Sequence, residues 1–109
     1  MLDLLMIAAF SGQVAFNAQP QGVGWQVTPM VTVAHPCLCR IEIELHRQGG
    51  SGSIVTHQKS VLSLSPDAPR TLSTFFLSVS ADDIVTLRVT VSDSGTASFT
   101  GQWSPPQRT

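Results

Sequence analysis

Between Gln13 and Trp103 the chain is written in short runs where apolar and polar residues take turns. In "QVAFN", Val14 and Phe16 share one side, which predicts a short first strand followed by a polar turn, "AQPQG". "GWQVTPMVTVA" places Trp25, Val27, Val31 and Val33 on one face, with Gln26, Thr28 and Thr32 between them. A two-residue repeat marks a strand with one buried face. Pro29 lies inside this run and lacks an amide donor, so the segment reads as an edge strand or as the site of a bulge.

The alternation is cleanest in "CLCRIEIELHR", where Cys37, Cys39, Ile41, Ile43 and Leu45 oppose Leu38, Arg40, Glu42, Glu44 and His46. "QGGSGS" is a turn rich in residues that tolerate positive φ. "IVTHQKSVLSLS" predicts one edge strand kinked near Lys59 to Val61, and "PDAP" another turn. "TLSTFFLSVS" turns Phe75, Leu77 and Val79 inward and Phe76 outward. After "ADD", the run "IVTLRVTVS" buries Val85, Leu87, Val89 and Val91 and exposes Thr86, Arg88 and Thr90. "DSG" is a hairpin signal, and "TASFTGQW" closes with Ala97, Phe99 and Trp103 on one side. About seven short antiparallel strands, with turn signals every ten or so residues, predict an all-β, immunoglobulin-like β-sandwich. It occupies residues 11–104 as a single domain, and the Pro-rich residues 105–109 read as a flexible tail. No segment shows a helical apolar stripe, and no internal repeat is visible.

Composition agrees: Thr, Ser and Val abound, and charged residues make up only 12% of the chain, about half the usual share. Six basic against seven acidic side chains leave a net charge of −1, which argues against broad electrostatic capture of nucleic acid. "MLDLLMIAAF" differs from everything after it. Its apolar run is too short to span a bilayer. Residues 1–10 read as a short secretory leader or as a first strand or frayed terminus, and the family resemblance given below is what favours the leader. Asp3 and the lack of Lys or Arg at its start depart from the usual leader. A leader would place the domain where disulfides persist.

The only two cysteines, Cys37 and Cys39, sit one residue apart at the start of a strand. Two strand residues advance the chain by roughly 6.6–6.8 Å, at the upper limit for a disulfide, so a bond is reachable only with local bending. Three readings stand side by side. The thiols can fill the core as small hydrophobes. They can form a redox pair that local strain makes reducible. They can bind a metal, for which His35, His46 and His57 are further ligands by residue type only. Asp82 and Asp83 fall in a turn, where Asp is expected for backbone hydrogen bonding. No Gly-x-Ser-x-Gly elbow and no phosphate loop occurs, and nothing calls for a cofactor.

Five blocks, "QVAFN" after the short leader, "CLCRI", "LSLSPDAP", "SADDIVTLRVTVSD" and "QWSPP", appear in order along nearly the whole chain. In these the chain resembles the curli assembly protein CsgC family. The resemblance implies a small periplasmic immunoglobulin-like domain that keeps the secreted amyloid subunit from polymerising before export. It also implies that Cys37 and Cys39 form a Cys-x-Cys motif considered redox-active by analogy. Amyloid grows by adding strands to flat edges of low charge, and a sandwich can block growth through an edge strand or a charged sheet face. Candidate binding residues are the outward Arg40, Glu42, Glu44 and Arg88, with Lys59 nearby. Pro29 and Lys59 would keep the domain from templating itself. The expected protein is a monomeric, non-catalytic binder of the curli subunit with no membrane span. The alternative is a periplasmic thiol-disulfide oxidoreductase using Cys37 and Cys39.

Overall fold

The computed structural model describes residues 12–50, 52–80, 82–93 and 97–106. The expected leader, residues 94 and 95 of the "DSG" turn and the last three residues of the tail lie outside the described residues. Among the described residues eight strands follow one another: β1 (Gly12–Gln21), β2 (Gly24–Val33), β3 (Cys37–Gly49), β4 (Gly52–Leu64), β5 (Arg70–Thr71), β6 (Phe75–Ser78), β7 (Ile84–Ser92) and β8 (Ser98–Trp103). The described residues contain no helix, and so none long and apolar enough to cross a membrane.

All pairings are antiparallel and fall into two sheets. The first has the order β1-β2-β5, with β6 also paired to β2; the second has the order β4-β3-β7-β8. This two-sheet sandwich is the architecture that the alternation predicts. Between the layers, Val27, Val31 and Val33 of the first sheet meet Cys39, Ile41, Ile43, Leu64, Leu87, Val89 and Val91 of the second, all buried. Burying each such aliphatic side chain contributes about 1.5–3 kcal/mol. At one end Trp25 and Trp103 meet edge to face, their ring centroids 5.6 Å apart.

Three local expectations are corrected. The first strand does not stop at Asn17 but runs to Gln21, and the turn shrinks to Gly22 and Val23, with Gly22 at φ 59°. Pro29 does not mark an edge strand. β2 is central, paired with β1 on one side and with both β5 and β6 on the other. β6 takes Gly24 to Val27 and β5 takes Met30 and Val31, so Pro29 falls in the gap between them. There its missing donor disrupts no ladder, while its carbonyl accepts a hydrogen bond from the Leu72 amide at 2.9 Å. Finally, β4 is the edge strand the sequence predicts, but it carries no kink: its register against β3 is unbroken from Gly52 to Leu64.

The two long edges of the sandwich differ. On one, β1 lies against β8 so closely that a side chain at Gly101 would overlap Val14, and one at Gly12 would overlap the Phe99 ring. On the other, the first sheet ends in the two-residue β5, and from Gly52 to Val61 every residue of β4 is exposed.

Candidate functional site

Strand register assembles the outer face of the second sheet. Reading across β4, β3, β7 and β8, Lys59 stands beside Glu42, then Thr90 and Thr100. The next rung is His57, Glu44, Arg88 and Gln102, and a third brings Val55, His46 and Thr86 together. Arg40 lies one rung the other way, between Val61 and Ser92. All five sequence-predicted residues, Arg40, Glu42, Glu44, Lys59 and Arg88, thus share one face. Period-two alternation on three neighbouring strands puts them there.

The charges are not equivalent. Glu44 is ringed by cations and imidazoles: Arg88 Nη1 lies 3.4 Å from its carboxylate, His57 Nε2 3.5 Å and His46 Nε2 3.9 Å. His57 also stands 3.7 Å from Glu42, and the Arg88 guanidinium donates through Nε to Gln102 at 3.4 Å. Arg40 and Lys59, both exposed, have no carboxylate within 4.0 Å among the described residues. Both carboxylates thus have an imidazole or guanidinium within 4.0 Å, and the two exposed cations have no carboxylate that close. Exposed pairs of this kind add only about 0.2–1 kcal/mol each to stability, so fold maintenance gives little reason for the pattern. By sequence, His46 and His57 are candidates only for metal binding. The short Gly-rich turn between β3 and β4 carries the missing signal, because a tight hairpin sets Glu44 opposite His57.

The first sheet's outer face contrasts with this one. β1, β2 and β6 contain no charged residue at all. Gln13, Asn17, Gln19, Gln26, Thr28 and Thr32 give it an amide and hydroxyl surface, with Phe76 exposed at its margin.

Cys37 and Cys39 form a disulfide at the start of β3, with Cα atoms 5.3 Å apart. This is shorter than a regular two-residue advance, so the strand is locally contracted, as the spacing argument requires. Cys39 is fully buried and Cys37 partly so. Core filling and sulfur–sulfur bonding therefore hold together. A metal reading lacks support, because both sulfurs are bonded to each other and His46 and His57 gather at Glu44 instead.

Asp83 has a structural task. Its carboxylate accepts from the Ser80 amide at 3.0 Å and from Arg47 Nη2 at 3.1 Å. The Ser80 hydrogen bond, reinforced by Arg47, holds its pKa below the usual carboxylate value despite partial burial. Gly49 packs against Asp83 with no room for a Cβ. The far end of β3 is thereby tied to the connection between β6 and β7.

The chain's relatives agree with this architecture. It is 41% identical over 105 residues to curli assembly protein CsgC of Escherichia coli K12, covering 96% of each chain. It is 39% identical over 105 residues to curli assembly protein CsgC of Salmonella typhimurium, covering 96% of this chain and 97% of that one. The solved structure of the E. coli curli protein CsgC superimposes with a TM-score of 0.79 at 40% identity, over 87% of this chain and 100% of the other. The solution structure of R. palustris CsgH shares the fold, with a TM-score of 0.65 at 15% identity over 86% of this chain and 92% of the other. With the thin aggregative fimbriae synthesis protein model matching residues 5–103 as well, the chain belongs to the CsgC family.

Proposed function

We propose that this domain is a periplasmic curli assembly factor that binds the amyloid subunit and delays its polymerisation until export, without covalent chemistry. Family membership supports the curli role, since relatives sharing about two-fifths of their residues are named for curli assembly. The same names argue against the thiol-disulfide oxidoreductase alternative, and the largely buried sulfurs do too. The disulfide itself suits an oxidising compartment such as the periplasm.

The observation that carries the binding mode is the imbalance on the second sheet's outer face. Glu42 and Glu44 each have an imidazole or guanidinium within 4.0 Å, whereas among the described residues no carboxylate comes that close to Arg40 or to Lys59, although Lys59 is the cross-strand neighbour of Glu42. A face of this kind steers acidic, disordered chain toward itself and weakens as salt screens it. The domain acts as a monomer, one sandwich per captured segment.

The test is fibrillation of purified curli subunit followed by thioflavin fluorescence, with the domain present at well below equimolar amount. The wild-type domain lengthens the lag, and added salt shortens it again. Arg40→Glu combined with Lys59→Glu removes most of the delay. A wild-type domain that leaves the lag unchanged ends the proposal.

A further inference from the structure

The open edge carries a second feature that the charged face does not explain. Where the first sheet stops at β5, a cleft of about 430 Å³ enters the sandwich between β4 and the chain from Arg70 to Ser73. Its floor is apolar: Ile41, Ile43, Leu62 and Leu72. The β4 side chains turned toward it, Gln58 and Ser60, are polar and do not fill it. Lys59 and Arg70 stand at its rim, and no carboxylate lines it.

Above the cleft runs the free edge of β4. Among the described residues no strand pairs with that edge. Unpaired strand edges accept further strands, because their backbone donors and acceptors are already aligned. Two such edges from two copies of this chain would meet badly. β4 holds Lys59 and no acidic residue, so the β4 of a second copy offers that lysine no carboxylate.

We infer that β4 and the cleft beneath it form a strand-addition site for an extended acidic segment of a partner polypeptide. The incoming strand pairs with β4. Alternate side chains, apolar ones, drop onto Ile43, Leu62 and Leu72, and the intervening carboxylates lie beside Lys59. The cleft volume lies within the range of about 300–1,000 Å³ typical of small binding pockets and admits a few side chains. The inference rests on the proposed subunit binding and names the mode of capture: backbone pairing supplies affinity, and the cationic rim selects an acidic strand.

The experiment uses the full chain and a capped peptide of five Glu-Val repeats, with a Lys-Val peptide of equal length as control. Amide hydrogen exchange is read along β4 with and without peptide. The acidic peptide slows exchange from Ser53 to Val61, and the basic one does not. Ser60→Trp, which fills the cleft from an exposed position, weakens acidic-peptide binding roughly tenfold, as does Lys59→Glu. Unchanged circular dichroism in both variants shows that the loss is not unfolding. Protection confined to β7 and β8 overturns the inference, as does equal binding of both peptides. So does protection of β4 that grows with protein concentration alone, which would mean pairing between copies. If wild type delays subunit fibrillation and Ser60→Trp delays it equally, subunit binding stands and strand addition falls. If wild type gives no delay, the functional reading falls first.

Discussion

The two edges of this sandwich differ in what their strands turn inward, apolar and small residues on β1 and β8 and polar ones along most of β4. At the β1–β8 edge, small residues let the layers close: Gly12 sits under the Phe99 ring and Gly101 under Val14. At the β4–β5 edge the first sheet runs out, and β4 continues with Thr56, Gln58 and Ser60 exposed, the last two lining an unfilled cleft. A strand's burial is set by what faces it, and its own sequence only has to agree. Where no layer faces β4, polar inward positions cost nothing, and the edge becomes available for binding.

The sharpest way to break this comparison is to place the same side chain on both edges. Gly101→Val drives a branched side chain into Val14 and forces the layers apart. Overpacking of this kind costs about 1–3 kcal/mol or more, read as a lowered urea midpoint with unchanged slope. Ser60→Val adds apolar surface where there is room and shifts stability by no more than about 0.5 kcal/mol. Equal losses from both would mean that the β4 edge is as tightly packed as the other.

The disulfide tests whether the open edge needs covalent support. Cys39 faces Leu62 across the β3–β4 ladder, at the inner end of the cleft. A ring that encloses a single residue removes little unfolded-chain entropy. Replacing both cysteines with Ala therefore costs about 1–2 kcal/mol, chiefly for the volume lost at buried Cys39. The lag in subunit fibrillation stays as long as with wild type. Loss of the delay in a folded double variant would return the sulfurs to the mechanism.

Much of the fold is legible in the chain itself. Strict alternation in "RIEIEL" and "VTLRVTV" specifies inward and outward faces because a pleated strand has no other way to sort its side chains. For the same reason alternation alone turns Arg40, Glu42, Glu44 and Arg88 outward. Pro29 misleads, since a proline excludes pairing on only one side of a strand, and here two short strands share that side and leave a gap for it. The polar positions of β4 suggest a kink because they break the apolar rhythm. Their cause is the missing layer opposite them, a fact held in the length of β5 rather than in β4. The histidines around Glu44 depend on register, which one strand read alone does not contain.

A smaller effect separates the anchored end of β3 from the free β4 beside it. Asp83 ties β3 through Arg47 to the β6–β7 connection. Its native pKa is lowered, chiefly by the Ser80 amide and then by Arg47. A lowered native pKa means that the folded state binds the proton less readily than the unfolded chain. The stabilisation is therefore complete above the unfolded carboxylate value, about 3.9, and is lost as pH falls through the native value. Asp83→Asn keeps a side chain of the same shape without the charge. Its urea midpoint is lower than wild type at pH 7, and the gap narrows as the pH drops below about 4. Hydrogen exchange should locate the change at Arg47, Gly49 and Ser80 while the amides of β4 from Ser53 to Val61 exchange as before. A β4 that loosened equally would show that the two strands of the hairpin move as one, and that the open edge owes its shape to Asp83 after all.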